Sequence, residues 1–164
     1  QDYRLARLRN MPVYFSPLGP STDTKLDEAF IKMTDGATPI SQTLAIQGRS
    51  INVPASVSGI ARFTFDELCR QPLGAGDYIE IARQFHTLFV ANIPIMEAKH
   101  QNEAKRFVNL IDVLYEKGVN LICSAEGQPE QLYTGGQGTF EFARATSRLM
   151  EMQSEEYLAA EHHA

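Results

Sequence analysis

The sequence is poor in cysteine and contains no long apolar run. Cys69 and Cys123 are its only cysteines, and each stands in an apolar or helical stretch. We therefore expect two buried free thiols in a reducing compartment, and no disulfide. No apolar stretch approaches the roughly 18 residues that cross a membrane, and the basic start lacks the apolar core of a signal peptide. We therefore expect neither a disulfide-stapled secreted fold nor an integral membrane segment.

Positive charge is also scarce. The chain has 15 Lys and Arg against 20 Asp and Glu, a net charge of −5, which argues against the broad basic surface of a nucleic-acid-binding protein. A local contact to a phosphate is still compatible with this charge. The composition, 43% hydrophobic and 21% charged, predicts one soluble globular domain over residues 1–164. Because no initiator methionine is present, we expect that the chain was cut from a longer protein or was processed.

Two motifs that would carry chemistry are missing as well. No glycine is followed by lysine, so the phosphate-binding loop G-x-x-x-x-G-K-[ST] does not occur, and GGQGT at 135–139 is predicted to be a plain loop. His100, His162 and His163 lack Cys or His partners at the spacing of metal ligands. The chain alone is thus predicted to hold no metal or cofactor and to be inactive towards ATP.

Alternating polar and apolar residues predict a hairpin in the region of about 40–63. The segment TLAIQGRSINVPAS forms two short antiparallel strands around QGRS, and Pro54 is predicted to end the second strand. A third strand, SGIARFTF, follows.

The next segments predict a βαβ unit at about 87–125. Strand 88–93, helix 102–117 and strand 119–124 require parallel, right-handed pairing if the two strands share a sheet. A C-terminal helix at about 143–158 completes the prediction. The fold class is α/β, a mixed sheet with a βαβ unit, an attached antiparallel β-hairpin and a C-terminal helix.

Several polar residues are candidates for a site. Asn92 and Ser124 end the two buried strands, where ligands bind in open α/β sheets, although ordinary loop starts look the same. Asp66, after the apolar run FTF, fits the first turn of a helix better than a magnesium site. Cys69 and His86 are interpreted as a small buried residue and a residue at a helix end, and not as a catalytic pair.

The pair Arg144 and Arg148 is the most informative candidate. The two residues are four positions apart in RATSRLMEMQSEEYL and so lie on one face of a helix. Just beyond a glycine-rich loop, such a pair can reach a phosphate. The alternative is an ordinary charged face, in which Arg148 pairs with Glu151 or Glu155.

Three long blocks of the chain resemble a known family. They are ARFTFDELCRQPLGAGDYIEIARQFHTLFVANIPIM, EAKRFVNLIDVLYEKGVNLICSAEGQPEQLY and FEFARATSRLMEMQSEEYL. They are similar to the C-terminal part of the ZapE-type cell-division ATPases, bacterial relatives of the mitochondrial AFG-like ATPases and a branch of the AAA-type P-loop enzymes. The resemblance runs from DYRL at 2–5 to EEYL at 155–158. In that family the P-loop and the magnesium-binding acidic pair lie upstream of such a DYRL segment.

The resemblance implies a function for the complete protein. It would use ATP and Mg²⁺, form a homo-oligomer in the bacterial cytoplasm, and act on the tubulin-like division-ring protein. The S-R-L run at 147–149 resembles the late arginine motif of such ATPases, which makes Arg148 the first catalytic candidate and Arg144 the second. The family also has an earlier arginine upstream of this chain, so the alternatives for Arg148 are a second sensor and a structural ion-pair partner. Family members often carry threonine directly after the first arginine, where this chain has Ala145. The alternative is a non-catalytic module for oligomerisation or partner binding, in which the hairpin edge adds a strand from another chain.

Overall fold

A computed structural model of the protein describes residues 7, 8, 11–160 and 162, and a six-stranded sheet runs through it. The strands are β1 (Tyr14–Phe15), β2 (Ile40–Ile46), β3 (Arg49–Val57), β4 (Ile60–Thr64), β5 (Thr87–Ile93) and β6 (Asn120–Ala125). Their order is β1-β6-β5-β4-β3-β2; the first four are parallel, and β3 and β2 continue the sheet in antiparallel fashion. The predicted mixed α/β class is confirmed.

Helices cover both faces of this sheet. They are α1 (Pro20–Thr34), α2 (Phe65–Cys69), α3 (Ala75–Gln84), α4 (Gln101–Lys117), α5 (Thr139–Glu151) and α6 (Glu155–Ala159), with short 3₁₀ turns at Ala98–His100 and Pro129–Gln131. On one face α1 places Phe30 edge-on against Phe89 of β5, with ring centroids 5.1 Å apart. The larger core lies on the other face, where α3, α4 and α5 pack. Within the described ranges, no helix combines the length and hydrophobicity needed to cross a membrane.

The predicted βαβ unit is confirmed. Strands β5 and β6 are parallel, with Leu88 opposite Leu121, and α4 connects them. The apolar stripe of α4 faces the sheet, and Ile111 in its centre is completely buried. Gly118 ends α4 in the left-handed conformation, with φ of 66°, a backbone geometry that glycine adopts without steric cost. Strand β6 begins two residues later, so the connection from α4 to β6 is short.

The hairpin is also confirmed, but Pro54 does not end its second strand. Strands β2 and β3 are joined by Gln47 and Gly48, both with positive φ, as a two-residue hairpin turn requires. Strand β3 continues through Pro54 to Val57, so the prediction of a strand end at Pro54 was wrong. The register shifts next to Pro54, and a proline without an N–H is tolerated at such a bulge.

An ion pair fixes the tip of the hairpin to α3. Arg49, the first residue of β3, pairs with Asp77, whose side chain is completely buried. The second carboxylate oxygen of Asp77 accepts a hydrogen bond from the backbone N–H of Gly74, at 2.7 Å. The hairpin is therefore a continuation of the main sheet that is held against the helical layer.

The C-terminal helical segment starts earlier and is less continuous than the range of about 143–158 indicated. Helix α5 begins at Thr139, within the glycine-rich segment, and ends at Glu151. A turn follows, and the hydroxyl of Ser154 then accepts a bond from the N–H of Tyr157 (3.2 Å) and caps the separate helix α6. Serine favours such a capping position over a helix interior, which explains the break.

Candidate functional site

Helix α5 carries both candidate arginines, and its apolar face fixes its position. Gly138 starts the helix in the left-handed conformation, with φ of 81°. The Phe142 ring stacks on Phe107 of α4 at 5.8 Å between centroids and also contacts Tyr133 at 5.0 Å. These contacts pack α5 against α4. They bring Arg144 and Arg148 alongside the outer surface of α4.

Both arginines bind one carboxylate, that of Asp112 on α4. An Nη1–H of Arg148 donates to Oδ1 at 2.6 Å, and an Nη2–H of Arg144 donates to Oδ2 at 3.3 Å. The side chain of Arg148 is 25% exposed, and that of Arg144 is 50% exposed. The spacing prediction that the two arginines share a helix face agrees with this arrangement. Their carboxylate, however, comes from a neighbouring helix.

An aromatic ring contacts the same guanidinium of Arg148. Its Cζ lies 4.9 Å from the centroid of the Tyr115 ring, within the range of a cation–π interaction. The Tyr115 hydroxyl donates to Oε2 of Glu151 at 2.8 Å. This hydrogen bond is the main reason why the pKa of Tyr115 is raised above its ordinary value. Glu151, proposed as a partner of Arg148, is thus hydrogen-bonded to Tyr115.

Tyr115 is in turn held by Tyr157 of α6. The two rings stack with centroids 5.9 Å apart. The Tyr157 hydroxyl lies 3.0 Å from the carbonyl of Leu114 and 2.7 Å from that of Val119, and it has one proton to share between them. The pKa of Tyr157 is raised, chiefly by burial, so the hydroxyl stays protonated. A continuous set of contacts therefore runs from the end of α4 through two aromatic rings to Arg148.

Asn92 and Ser124 do meet at the strand ends, as their sequence positions indicate. The backbone N–H of Asn92 donates to the Ser124 hydroxyl at 2.9 Å, and Ser124 is completely buried. Asn92 is exposed, with φ of 66°, and borders a groove of about 490 Å³ that Arg62 and Glu67 also line. The serine hydroxyl thus fixes the backbone of β5.

Asp66, Cys69 and His86 have ordinary structural surroundings. Asp66 lies in the first turn of α2, as predicted, and pairs with Arg70 at 3.2 Å. Cys69 and Cys123 are free and buried, which confirms the expectation for both, and burial raises the pKa of each thiol to about 12. Such thiols are protonated at neutral pH and are poor nucleophiles. Nδ1 of His86 lies 2.8 Å from the Thr87 hydroxyl.

Two arrangements that commonly hold ATP and Mg²⁺ can be compared with the sequence and with the described residues. The sequence lacks the lysine-bearing loop that holds phosphates. In the part of the chain that the structure describes, no three His, Cys, Asp or Glu side chains are grouped so that they could hold a metal ion.

Comparison with known proteins narrows the class of protein. Four parallel strands with helices on both faces define an open α/β protein, and no solved structure matches the chain. The family model for AFG1-like ATPases matches residues 1–161. The chain belongs to this family.

Two relatives show how much of a family member the chain represents. It is 37% identical over 161 residues to the cell division protein ZapE of Escherichia coli K12, a match that covers 98% of this chain and 43% of ZapE. It is 32% identical over 163 residues to the lactation elevated protein 1 homolog B of Danio rerio, covering 80% of this chain and 32% of that protein. The chain thus spans less than half the length of either relative.

Proposed function

We propose that this chain is the arginine-donating part of an ATP-hydrolysing AAA-type protein. In the complete protein, ATP and Mg²⁺ bind to residues outside this chain, and Arg148 serves the phosphate bound by a neighbouring subunit. Arg144 is the second arginine of the site. An arginine that arrives from a neighbour stabilises charge on the transferring phosphoryl group. The observation that carries the proposal is the paired-arginine face of α5, at which Arg148 is oriented and yet partly exposed.

The geometry of Arg148 suits this role. A guanidinium has five N–H donors in a rigid planar fork, and Nη1 supplies the bond to Asp112. Further donors exist on the same group for a phosphate oxygen. Because the side chain is 25% exposed, it lies at the surface, where a second subunit can approach it.

The outer face of α5 supports a subunit contact beside the arginines. Phe140 is 79% exposed and Met150 is 51% exposed. With Ala143 and Ser147 they follow the spacing i, i+3, i+7, i+10, which places them along one side of the helix. Aromatic residues and methionine are enriched in protein–protein interfaces. We assign the contact between copies of the protein to this face.

The relatives support a proposal for the cellular role. ZapE is a cell division protein by name, and we propose that the complete protein acts in cell division or protein remodelling in the bacterial cytoplasm. Its partner would be the tubulin-like division-ring protein. The acidic net charge of −5 supports a protein partner over a nucleic acid.

The decisive experiment is Arg148→Ala in the complete protein. Folding and ATP binding should stay nearly intact, because the residue contributes only when charge develops on the γ-phosphate. Turnover should fall by about 10³-fold or more, the contribution of an arginine supplied in trans. Mixing this variant with one unable to bind ATP should restore activity at mixed interfaces, since each subunit supplies what the other lacks.

Arg70→Ala is the matched control. Arg70 also pairs with an aspartate, Asp66, and also lies over an aromatic ring, that of Phe65, at 5.7 Å. Its loss should leave turnover unchanged. Wild-type turnover by Arg148→Ala would refute the proposal and leave the arginine as an ion-pair residue worth under about 1 kcal/mol.

The second candidate function is a non-catalytic module for oligomerisation or partner binding. Strand β2 forms one edge of the sheet, and its sequence ISQTLAI has neither charge nor proline, the usual protections of an exposed edge. Under this alternative, the edge pairs with a strand from another chain. Thr43→Lys, an exposed position on β2, should then abolish partner binding, whereas Gln47→Lys in the adjoining turn should not. Unchanged binding by Thr43→Lys would exclude this use of the edge.

A further inference from the structure

Arg148 is contacted by two groups of different chemistry, and both lie on α4. The carboxylate of Asp112 accepts from Nη1 at 2.6 Å, and the Tyr115 ring lies 4.9 Å from Cζ. Asp112 and Tyr115 are three residues apart and therefore adjacent on the helix surface. Because Asp112 and Tyr115 belong to α4, the sequence pattern of α5, which carries the two arginines, could not identify them.

These two contacts constrain different motions of the guanidinium. A hydrogen bond to a carboxylate fixes one edge of the planar group in direction and distance. A ring against the cation fixes the group from a second side and limits its rotation about that bond. Together they select one orientation of a long and otherwise flexible side chain. The N–H of Nη1 is used for the bond to Asp112, so other N–H donors of the guanidinium would make the proposed contact to a phosphate.

The supporting residues are themselves fixed. Tyr115 donates to Glu151 and stacks on Tyr157, whose hydroxyl bonds the backbone at the end of α4. Asp112 has a second arginine on its other oxygen, because Nη2–H of Arg144 lies 3.3 Å from Oδ2. The carboxylate therefore lies between two cations, and its shorter hydrogen bond is the one to Arg148.

From this arrangement we infer that Asp112 and Tyr115 are positioning residues for Arg148. They hold the guanidinium in the orientation in which it meets the phosphate of the neighbouring subunit, and they do not touch the nucleotide. This inference rests on the proposed role of Arg148. It adds that α4 determines the catalytic competence of an arginine that belongs to α5.

The test uses the complete protein and separates kcat from KM. Asp112→Asn keeps the shape and one acceptor oxygen but removes the charge, so kcat should fall by about 10- to 100-fold, as expected for a loosened catalytic group, with KM for ATP unchanged. Asp112→Glu should recover part of that loss. Asp66→Asn, which breaks the ion pair to Arg70, is the matched control and should leave kcat unchanged.

A double-mutant cycle distinguishes positioning from a general structural role. In the Arg148→Ala background, Asp112→Asn should cause a much smaller further loss of kcat, because the only arginine contact left to Asp112 is the longer bond to Arg144. Equal losses in both backgrounds would overturn the inference. Wild-type kcat in Asp112→Asn, with a slow Arg148→Ala variant, would overturn it and leave the proposed function standing. Wild-type kcat in Arg148→Ala would overturn both.

Tyr115 provides a second test if Asp112→Asn fails to fold. Tyr115→Phe keeps the ring face and should retain kcat within about threefold, whereas Tyr115→Leu removes the cation–π contact and should lower kcat by about 10-fold, with KM unchanged. Thermal unfolding of each variant monitors folding. Equal kcat values for the Phe and Leu variants would refute the part assigned to the ring.

Discussion

The substitution Ile111→Ala measures how far α4 depends on its buried face. Ile111 is completely buried in the larger core. Removing about three methyl or methylene groups loses roughly 2.4 kcal/mol of transfer free energy, at about 0.8 kcal/mol per group. The cavity raises the cost, and the better helix propensity of alanine returns only a few tenths of a kcal/mol. We therefore expect the free energy of unfolding to fall by about 2–5 kcal/mol.

Urea unfolding of the 164-residue chain, followed by far-UV circular dichroism, measures this loss. With an m-value of about 2 kcal/mol/M, the midpoint should fall by about 1–2.5 M at constant m. Ile79→Ala makes the same chemical change on α3 at a side chain that is 40% exposed, and should shift the midpoint by a small fraction of that amount. Equal shifts for the two variants would refute the packing of α4 against β5 and β6.

Three further predictions concern nucleotide binding, alkaline pH and the docking of α6. Calorimetry of the 164-residue chain with Mg-ATP should show no micromolar binding and no turnover, because the lysine-bearing phosphate loop is missing; micromolar affinity would refute this. Cys69 and Cys123 have pKa values raised to about 12, against about 8.5 in an unfolded chain, so their contribution to stability is complete below pH 8.5 and is lost as pH rises towards 12. Replacing both cysteines by alanine should reduce the decrease of the urea unfolding midpoint between pH 8 and pH 10. The same decrease in the variant as in the wild type would contradict the assignment. Tyr157→Phe leaves the carbonyls of Leu114 and Val119 without that hydroxyl and should cost about 1–3 kcal/mol in the same unfolding assay, whereas a loss under 0.5 kcal/mol would contradict the bonds.

The elements that could be predicted from the sequence are those determined by residues close together along the chain. The apolar stripe of α4 and the stop at Gly118 identify a helix without knowledge of its neighbours, and two apolar strands of suitable length flank it. The turn at Gln47 and Gly48 is equally local. The prediction that Pro54 ends a strand was wrong because β3 has an irregular register with β2 at this point, and a strand tolerates proline there. This register is not visible in the sequence.

Only part of the candidate site could be predicted from the sequence. The spacing of Arg144 and Arg148 along one helix predicts that they share a face, and both do reach Asp112. Asp112 and Tyr115 escaped prediction because α4 and α5 are separated by β6 and a long loop. Only tertiary packing brings the helices together, and the spacing in α5 favoured Glu151, which instead accepts a bond from Tyr115.

The two arginines differ in how firmly the protein holds them, and this difference bears on their roles. Arg148 has a short bond to Asp112 and a ring against its guanidinium, whereas Arg144 has a 3.3 Å bond and a side chain that is half exposed. Interactions of exposed charges are weak, so Arg144 can leave Asp112 at little cost in free energy. In the proposed function Arg148 keeps its bond to Asp112, and the other N–H donors of its guanidinium contact the phosphate. The structural asymmetry thus supports Arg148 over Arg144 as the arginine on which the proposed chemistry rests.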